Sequence, residues 1–318
     1  MRAVRIGIVC PAPPQTLYGN RISALRWARI LRQLGHGVVV QTSYAGAPFD
    51  VLIALHAKRS APSVFEFHQQ HPERPVVVVL TGTDLYRDIH HDQTAQKALE
   101  IATRLVALQP LACEELASHL RGRLRVIYQS KEKTPASTAR PDLAFQVCVV
   151  GHLRTVKDPF RTAMAARSLP AASRIQVLQA GAAMTEHMSR RALEEERRNS
   201  RYRWLGEIPR WKVRRLIASS HLLVLSSKME GGANVISEAI VDHTPVLASR
   251  IPGSVGLLGS DYPGFYPFGD TQALETLLLR SELDSSFYHE LCSRCAELSP
   301  LFRPARERSS WRRLMSEL

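Results

Sequence analysis

The chain has 318 residues, 45% of them hydrophobic, which suits a globular protein with two domains of ordinary size. Its formal net charge of +13 suits a nucleic acid, an anionic membrane or small anionic substrates as partners. No apolar run approaches the roughly 20 residues needed to cross a bilayer. The early run VRIGIVC is short and is followed by PAPP without a small-residue cleavage site. We therefore interpret this run as a buried strand and expect a cytoplasmic protein.

Positive charge is concentrated in three stretches, RRALEEERRNSRYRW, WKVRR and RPARERSSWRR. Glutamates interrupt the first stretch as they do on a solvated helix. The sequence contains neither paired zinc ligands nor an RNP-like aromatic strand. We therefore expect small anionic substrates and no nucleic acid. Association with an acidic membrane surface is left open but not favoured, and the sequence sets no oligomeric state.

The five cysteines are odd in number and scattered, which favours reduced thiols over a disulfide framework. Cys292 and Cys295 form a lone CxxC motif. Neither a second cysteine pair nor a nearby histidine pair completes a zinc site. The sequence therefore predicts no metal and no cofactor.

Short runs rich in valine and isoleucine alternate with amphipathic helices along the first half of the chain. The predicted strands are VRIGIVC, HGVVVQT, DVLIALH, PVVVVLTG, RLVALQ and LRVIYQ. The stretch RISALRWARILRQLG has apolar side chains near helical period, and LACEELASHL is a second predicted helix. Such alternation predicts a parallel sheet that is covered on both faces.

A polar, proline-containing stretch, KEKTPASTARPD, is the predicted linker, at about 130–142. The next strands are FQVCVVG, RIQVLQAG, RYRWLG, HLLVLSS, TPVLAS and GFYPF; the helices are FRTAMAARSL, TEHMSRRALEEERR, WKVRRLIASS, NVISEAIVD and TQALETLLLRS. This order predicts an α/β fold with two doubly wound, Rossmann-like domains facing a central cleft. We assign 1–140 to the first domain, 141–300 to the second, and 301–318 to a helix that can return to the first.

Glu230 and Glu238 bracket the run EGGANVISEA, a glycine-containing loop that opens into a predicted helix. Gly231 and Gly232 remove side chains where backbone amides would approach a phosphate, which the positive end of the helix favours. The two carboxylates can accept hydrogen bonds from sugar hydroxyls. An ordinary strand, turn and helix explains the same spacing, so the motif alone is only a hypothesis.

Several segments together resemble family 4 of the GT-B glycosyltransferases. They are GNRISALRWARILRQLGHGV, GHLRTVKDPF, WLGEIP and EGGANVISEAIVDHTPVLAS, and the resemblance covers nearly the whole chain. It implies the GT-B fold, with the second domain binding a nucleotide sugar and the first binding the acceptor.

The resemblance implies a donor site in the second domain. Lys157 matches the family's diphosphate-binding lysine, whose charge stabilises the leaving group. The family often has arginine where His152 stands, and Arg154 can supply the missing guanidinium. Glu230 would contact the donor sugar and act with Lys157 and Arg154 in catalysis, while Glu238 would bind the ribose. The remaining implied donor contacts are backbone groups at Gly206 and Ile208 for uracil, and around Gly231, Gly232, Ala233, Asn234 and Val235 for the phosphates.

The segments GNRISALRWARIL, ALHAKRSAPSV, LTGTDLYRDI and IPGSVGLLGSDYPG are similar to one branch of the family, the selenosugar synthases of selenoneine biosynthesis. This resemblance implies a UDP-sugar donor, such as UDP-N-acetylglucosamine, and selenophosphate as the nucleophile. Because selenophosphate is already anionic, we expect no essential general base. The candidate acceptor residues follow the first-domain strands and are Gly19, Asn20, Arg21, His56, Lys58, Arg59, Thr81, Gly82, Thr83 and Asp84.

Other interpretations of the sequence stay open. Asp84 can instead cap the helix that follows it, and the cations can be ordinary surface charges. The protein can be a conventional family 4 glycosyltransferase that acts on a lipid or a polysaccharide. It can also be a noncatalytic protein that binds anions or nucleic acid.

Overall fold

A computed structural model describes residues 3–15, 18–135 and 140–318, so residues 136–139 of the predicted linker lie outside the described residues. The chain forms two compact units. Unit 1 comprises Met1–Ser130, Glu230–Gly232 and Pro304–Leu318, and unit 2 comprises Lys131–Met229 and Ala233–Arg303.

Unit 1 contains a six-stranded parallel sheet with the order β2-β1-β3-β4-β5-β6. Its strands are β1 (Arg5–Val9), β2 (Gly37–Gln41), β3 (Val51–Leu55), β4 (Val76–Val79), β5 (Arg104–Ala107) and β6 (Leu124–Val126). The helices between them are α1 (Gly19–Gln33), α2 (Ala57–Gln70), α3 (Ile89–His91), α4 (Gln93–Ile101) and α5 (Ser118–Arg121). Every side chain of β3 and β4 is buried because helices cover both faces of the sheet.

Unit 2 contains a second six-stranded parallel sheet, with the order β12-β11-β10-β7-β8-β9. Its strands are β7 (Phe145–Val150), β8 (Ile175–Ala180), β9 (Tyr202–Trp204), β10 (Leu222–Leu225), β11 (Val246–Ser249) and β12 (Phe265–Tyr266). The helices are α6 (Arg161–Arg167), α7 (Glu186–Arg198), α8 (Arg210–Ser219), α9 (Asn234–Val241), α10 (Pro252–Leu258), α11 (Thr271–Leu283) and α12 (Ser285–Leu298). The predicted fold class, α/β with two Rossmann-like doubly wound sheets, is confirmed.

The last helix, α13 (Pro304–Ser316), packs on α1 within unit 1. Trp311 is buried against Trp27, with ring centroids 5.2 Å apart. The buried carboxylate of Glu307 accepts hydrogen bonds from the Trp27 indole N–H at 2.7 Å and from the Ser130 backbone N–H at 3.0 Å. Arg26 adds an ion pair to Glu307 at 3.1 Å. These contacts fix the end of the chain on unit 1.

Two local predictions were wrong or incomplete. The predicted helix LACEELASHL is a 3₁₀ turn, Pro110–Glu115, followed by the short helix α5, because Leu116 and Ala117 have extended backbone angles. The helices α2, α4, α10 and α12 were not among the predicted ones. Of these, α10 begins at a proline. Pro252 begins it at a position where the missing N–H costs no hydrogen bond. In the part of the chain that the structure describes, no helix is long and apolar enough to span a bilayer.

Candidate active site

The topological switch point of unit 2 lies between β7 and β10, where the strand order reverses. Loops gather at the carboxyl ends of the strands at such a point, and ligands of open α/β sheets bind there. The loop after β7 contains Gly151 and Lys157, and the loop after β10 begins with Ser226 and Ser227. All four residues line one hollow, so the sheet topology places the predicted diphosphate lysine at the expected binding edge.

The turn that carries Lys157 is held by backbone contacts. Lys157 ends a 3₁₀ turn, Thr155–Lys157, and its N–H donates to the carbonyl of Arg154 at 2.9 Å. Its own carbonyl accepts from the Ser226 hydroxyl at 3.1 Å. Arg154 precedes the turn and is exposed. His152 is half-buried, and burial lowers the pKa of its imidazole, which favours the neutral ring.

Three glycines stand at the carboxyl ends of neighbouring strands in unit 2. Gly151 follows β7, Gly181 follows β8, and Gly206 lies just beyond β9. The Gly181 N–H donates to the Gly206 carbonyl at 2.8 Å, so that oxygen already has one partner. Ile208 is half-buried two residues further along. Both residues of the predicted uracil contact therefore belong to the same edge as Lys157.

The second glutamate of the two-glutamate motif lies on α9. Glu238 is only 6% exposed. Its Oε1 lies 2.8 Å from Lys131 Nζ and 3.6 Å from Arg210 Nη2. The predicted ribose ligand is therefore an ion-paired carboxylate with two cations beside it. At the start of the same helix Ala233 is the N-cap residue, and a methyl group cannot accept hydrogen bonds from the first-turn amides of Asn234 and Val235.

The Glu230–Gly232 segment belongs to unit 1. A Cβ on Gly231 would lie 2.5 Å from the backbone carbonyl carbon and oxygen of Thr81, and a Cβ on Gly232 would lie 2.4 Å from Leu108 Cβ. The Gly232 carbonyl accepts from Gln129 Nε2 at 2.9 Å. Close packing inside unit 1 thus requires both glycines, which is a reason that the sequence did not reveal.

Asp84 organises the loop that follows β4. It is completely buried, and its Oδ1 accepts from the N–H groups of Thr81 at 2.9 Å and Gly82 at 2.8 Å. The Thr81 hydroxyl adds a third bond to Oδ1, and Oδ2 accepts from the Ala57 N–H of α2 at 3.0 Å. The alternative that Asp84 caps the helix that follows it is wrong. The groups that donate hydrogen bonds to its carboxylate belong to Thr81 and Gly82, which precede that helix, and to Ala57 at the start of α2.

The polar side chains around this loop contact one another. Asn20 Nδ2 donates to the Thr81 hydroxyl at 3.3 Å, and His56 Nε2 lies 3.1 Å from the Thr83 hydroxyl. His56 is 3% exposed and has a positive φ of 75°. Burial lowers the pKa of His56, although the nearby carboxylates of Asp84 and Asp88 act in the opposite direction and Arg59 adds to the lowering. A neutral imidazole is therefore favoured at this position.

The predicted acceptor cations are less closely grouped. Lys58 Nζ pairs with Asp92 Oδ2 at 2.7 Å on the surface, and this pairing raises the pKa of Lys58. Arg59 is exposed on the next position of α2. Arg21 is half-buried in the first turn of α1, close to Gly19. Burial raises the pKa of the Cys10 thiol, and the nearby charge of Arg21 acts in the opposite direction. The structure thus joins Asn20, Thr81 and Asp84 by hydrogen bonds, while the three cations stand on α1 and α2.

The sequence of residues 130–297 matches the family model described as glycosyl transferases group 1. The matched stretch is more than half of the 318-residue chain. This chain belongs to the glycosyl transferases group 1 family.

Solved structures of the same architecture support the assignment of the fold. Anabaena HepE in complex with UDP and glucose aligns with a TM-score of 0.77 at 16% identity, over 99% of this chain and 100% of that chain. Sucrose-phosphate synthase from Thermosynechococcus elongatus aligns with a TM-score of 0.80 at 17% identity, over 99% of each chain. A glycosyltransferase from Rickettsia africae aligns with a TM-score of 0.74 at 12% identity, over 100% of this chain and 99% of that chain. The protein is thus a glycosyltransferase with the GT-B fold.

Several residues near the site of this glycosyltransferase were not among the predicted ones. Lys131 lies in the segment predicted as a linker, and Arg210 directly precedes the basic run WKVRR. Gln129 contacts Gly232, and Glu230 is close enough to Tyr86 to help raise the pKa of that phenol, for which burial is the main cause. Each contact joins residues that are far apart in sequence, so local patterns carried no signal for them.

Proposed function

We propose that this glycosyltransferase transfers the sugar of a UDP-sugar, such as UDP-N-acetylglucosamine, to selenophosphate. Selenium attacks the anomeric carbon, a carbon–selenium bond forms, and the bond from that carbon to the UDP oxygen breaks. Water then cleaves the selenium–phosphorus bond, which releases phosphate and a 1-selenosugar. The reaction therefore needs one site for a nucleoside diphosphate and one for a small dianion.

The observation that carries the donor half of the proposal is Lys157 at the switch point of unit 2, beside Gly151 and the two serines after β10. An ammonium in this position can neutralise UDP as negative charge develops on the leaving oxygen. HepE, which shares the fold, is described in complex with UDP-glucose. In our proposal Arg154 assists Lys157, Glu230 contacts the sugar, and Glu238 binds the ribose hydroxyls.

The α9 amides and the β9 loop complete the proposed donor site. The first turn of α9 offers partial positive charge to the diphosphate, which is favourable for an anion at a helix N-terminus. In our proposal, backbone groups of Gly206 and Ile208, at the same edge of the sheet, contact uracil.

The selenophosphate half of the proposal rests on the resemblance of the unit 1 loops and on their chemistry. Asn20, Thr81 and Thr83 offer amide and hydroxyl groups. The Asp84 carboxylate fixes the backbone of the loop after β4 by accepting from the Thr81 N–H. The neutral imidazole favoured at His56 can donate a hydrogen bond without adding charge. The cations Arg21, Lys58 and Arg59 supply the positive potential that a dianion requires. Because the nucleophile arrives ionised, positioning and charge stabilisation account for the rate, with no metal or cofactor in the scheme.

Mass spectrometry tests the proposal directly. The protein is incubated with UDP-N-acetylglucosamine and selenophosphate, and the expected product is a selenium-containing sugar together with UDP. Lys157→Ala and Glu230→Ala should abolish turnover with folding intact, whereas Lys212→Ala, an exposed control on α8, should not. A glycosylated lipid or polysaccharide in place of the selenosugar would show a conventional glycosyltransferase. Salt-sensitive oligonucleotide binding without UDP-sugar affinity would refute both enzymatic functions.

A further inference from the structure

Two acidic residues, Glu238 on α9 and Asp242 directly after the end of that helix, each contact side chains from the same two neighbouring segments, α8 and residues 131–134. Glu238 Oε1 lies 2.8 Å from Lys131 Nζ and 3.6 Å from Arg210 Nη2. Four residues later, Asp242 accepts from the Thr134 N–H at 2.7 Å and from its hydroxyl at 2.6 Å.

Arg214, four residues after Arg210 on α8, lies 3.4 Å from Asp242 through Nη2. Residues four apart lie on the same face of a helix. One face of α8 therefore contacts both Glu238 on α9 and Asp242 at the C-cap of α9. Lys131 and Thr134 contact the same two carboxylates.

The pair of Lys131 and Glu238 is buried, whereas Arg210 is partly open to solvent. The side chains are 2% exposed for Lys131, 8% for Glu238 and 42% for Arg210. The backbone of Lys131 is itself tied to unit 2, because its N–H donates to the Phe302 carbonyl at 2.9 Å. Because the backbone of this lysine is fixed, its buried ammonium restricts the orientation of the carboxylate that it contacts.

We infer that Lys131, assisted by Arg210, is a positioning residue for the nucleotide: it holds the Glu238 carboxylate in the orientation that accepts the ribose hydroxyls. The inference rests on the proposed function, which gives Glu238 to the ribose. Lys131 acts through Glu238 and touches neither the sugar nor the phosphates. Asp242, with its similar but separate partners, stabilises the packing of α8 on α9 and takes no part in this role.

Calorimetric titration with UDP, 2′-deoxy-UDP and 3′-deoxy-UDP separates positioning from stability. A hydrogen bond to a charged group strengthens binding enough that the wild type should discriminate about tenfold against at least one deoxynucleotide. Lys131→Met should weaken the binding of UDP and reduce that discrimination to about threefold or less, because the Glu238 carboxylate is no longer fixed in its orientation. Arg210→Gln, at a partly exposed position, should reduce the ratio in the same direction, and Lys131→Arg should restore part of it.

The double variant Lys131→Met/Glu238→Gln supplies the sharpest comparison. If Lys131 acts only through Glu238, the double variant binds UDP as weakly as Glu238→Gln alone, since the two losses are not additive. Removing both charges also avoids leaving one buried charge uncompensated, so this variant stays informative if Lys131→Met fails to fold. Arg214→Met is the matched control. It disrupts an ion pair between α8 and the C-cap residue of α9, and it should lower stability while leaving the deoxynucleotide ratio at its wild-type value.

The outcomes distinguish the inference from the function on which it rests. A wild type that does not bind UDP, or does not discriminate against either deoxynucleotide, refutes the ribose role of Glu238 and the inference with it. Discrimination in the wild type that persists in Lys131→Met and Arg210→Gln overturns the inference alone. Additive losses in the double variant would also overturn it, because they would show that Lys131 contacts the nucleotide independently.

Discussion

Gly181→Ala is expected to displace the loop that carries Lys157. An added Cβ at Gly181 would lie 2.0 Å from the Gly151 carbonyl oxygen, 2.4 Å from the Gly151 carbonyl carbon and 2.9 Å from the His152 nitrogen. All three atoms are backbone, so no side-chain rotation relieves the overlap. The alanine variant must therefore move the segment that leads to Lys157.

Two terms determine the size of the effect, and Gly151→Ala separates them. Gly181 has a φ of 152° and Gly151 a φ of 156°, so an alanine at either position adopts a backbone conformation that costs about 1–3 kcal/mol. Among the described residues, no heavy atom outside Gly151 and its two chain neighbours lies within 4 Å of a Cβ placed on Gly151. The difference between the two variants therefore isolates the steric term, for which overpacking costs of about 1–3 kcal/mol are typical.

Urea denaturation followed by circular dichroism measures the change in the free energy of unfolding, and calorimetry measures UDP binding. Gly181→Ala should lose about 1–3 kcal/mol more than Gly151→Ala. It should also bind UDP more weakly than Gly151→Ala does, because the Lys157 turn has moved. Equal destabilisation of the two variants, within about 0.5 kcal/mol, would show that the loop yields to the new methyl group and would refute the reasoning.

Three further substitutions test separate contacts. Glu307→Ala removes the buried acceptor of the Trp27 indole and an ion-pair partner of α1, and should lower the free energy of unfolding by about 3–5 kcal/mol in urea titrations. Burial lowers the pKa of His56 below its unfolded value of about 6.5. As the pH falls through 6.5, the unfolded state therefore binds more protons than the folded state, and the free energy of unfolding decreases. The difference between the urea midpoints at pH 7.5 and pH 5.5 should be smaller in His56→Gln than in the wild type. Lys58→Ala should leave the melting temperature unchanged, because its ion pair with Asp92 is exposed, but should reduce selenophosphate-dependent turnover.

The sheets could be predicted from the sequence because parallel strands covered on both faces appear as continuous apolar runs. VLIAL in β3 and VVVV in β4 are completely buried, as such runs require. The prediction of a single helix over LACEELASHL was wrong because apolar residues at helical spacing do not determine backbone angles. Leu116 and Ala117 have extended backbone angles, which interrupt the helix. Periodicity therefore predicted which segments are buried better than it predicted where each helix is continuous.

The loops of the candidate site could be located, but the partners of their side chains could not. The position of Lys157 after β7 follows from strand order alone, since loops at a switch point share one edge. Asp84 illustrates what strand order leaves out. Its carboxylate accepts four hydrogen bonds, one of them from Ala57 on another helix, and no local pattern counts donors that arrive from elsewhere in the chain.

Lys131 shows the physical limit of reading a polar segment from its composition. The run KEKTPASTARPD is polar and proline-containing, which predicts solvent exposure, and yet the Lys131 side chain is 2% exposed. Burial of an ammonium is tolerated when a carboxylate lies beside it and neutralises its charge. Hydropathy describes each residue alone, whereas this burial depends on Glu238, which is distant in sequence. Buried charge pairs of this kind are therefore identified only when the fold brings the two residues together.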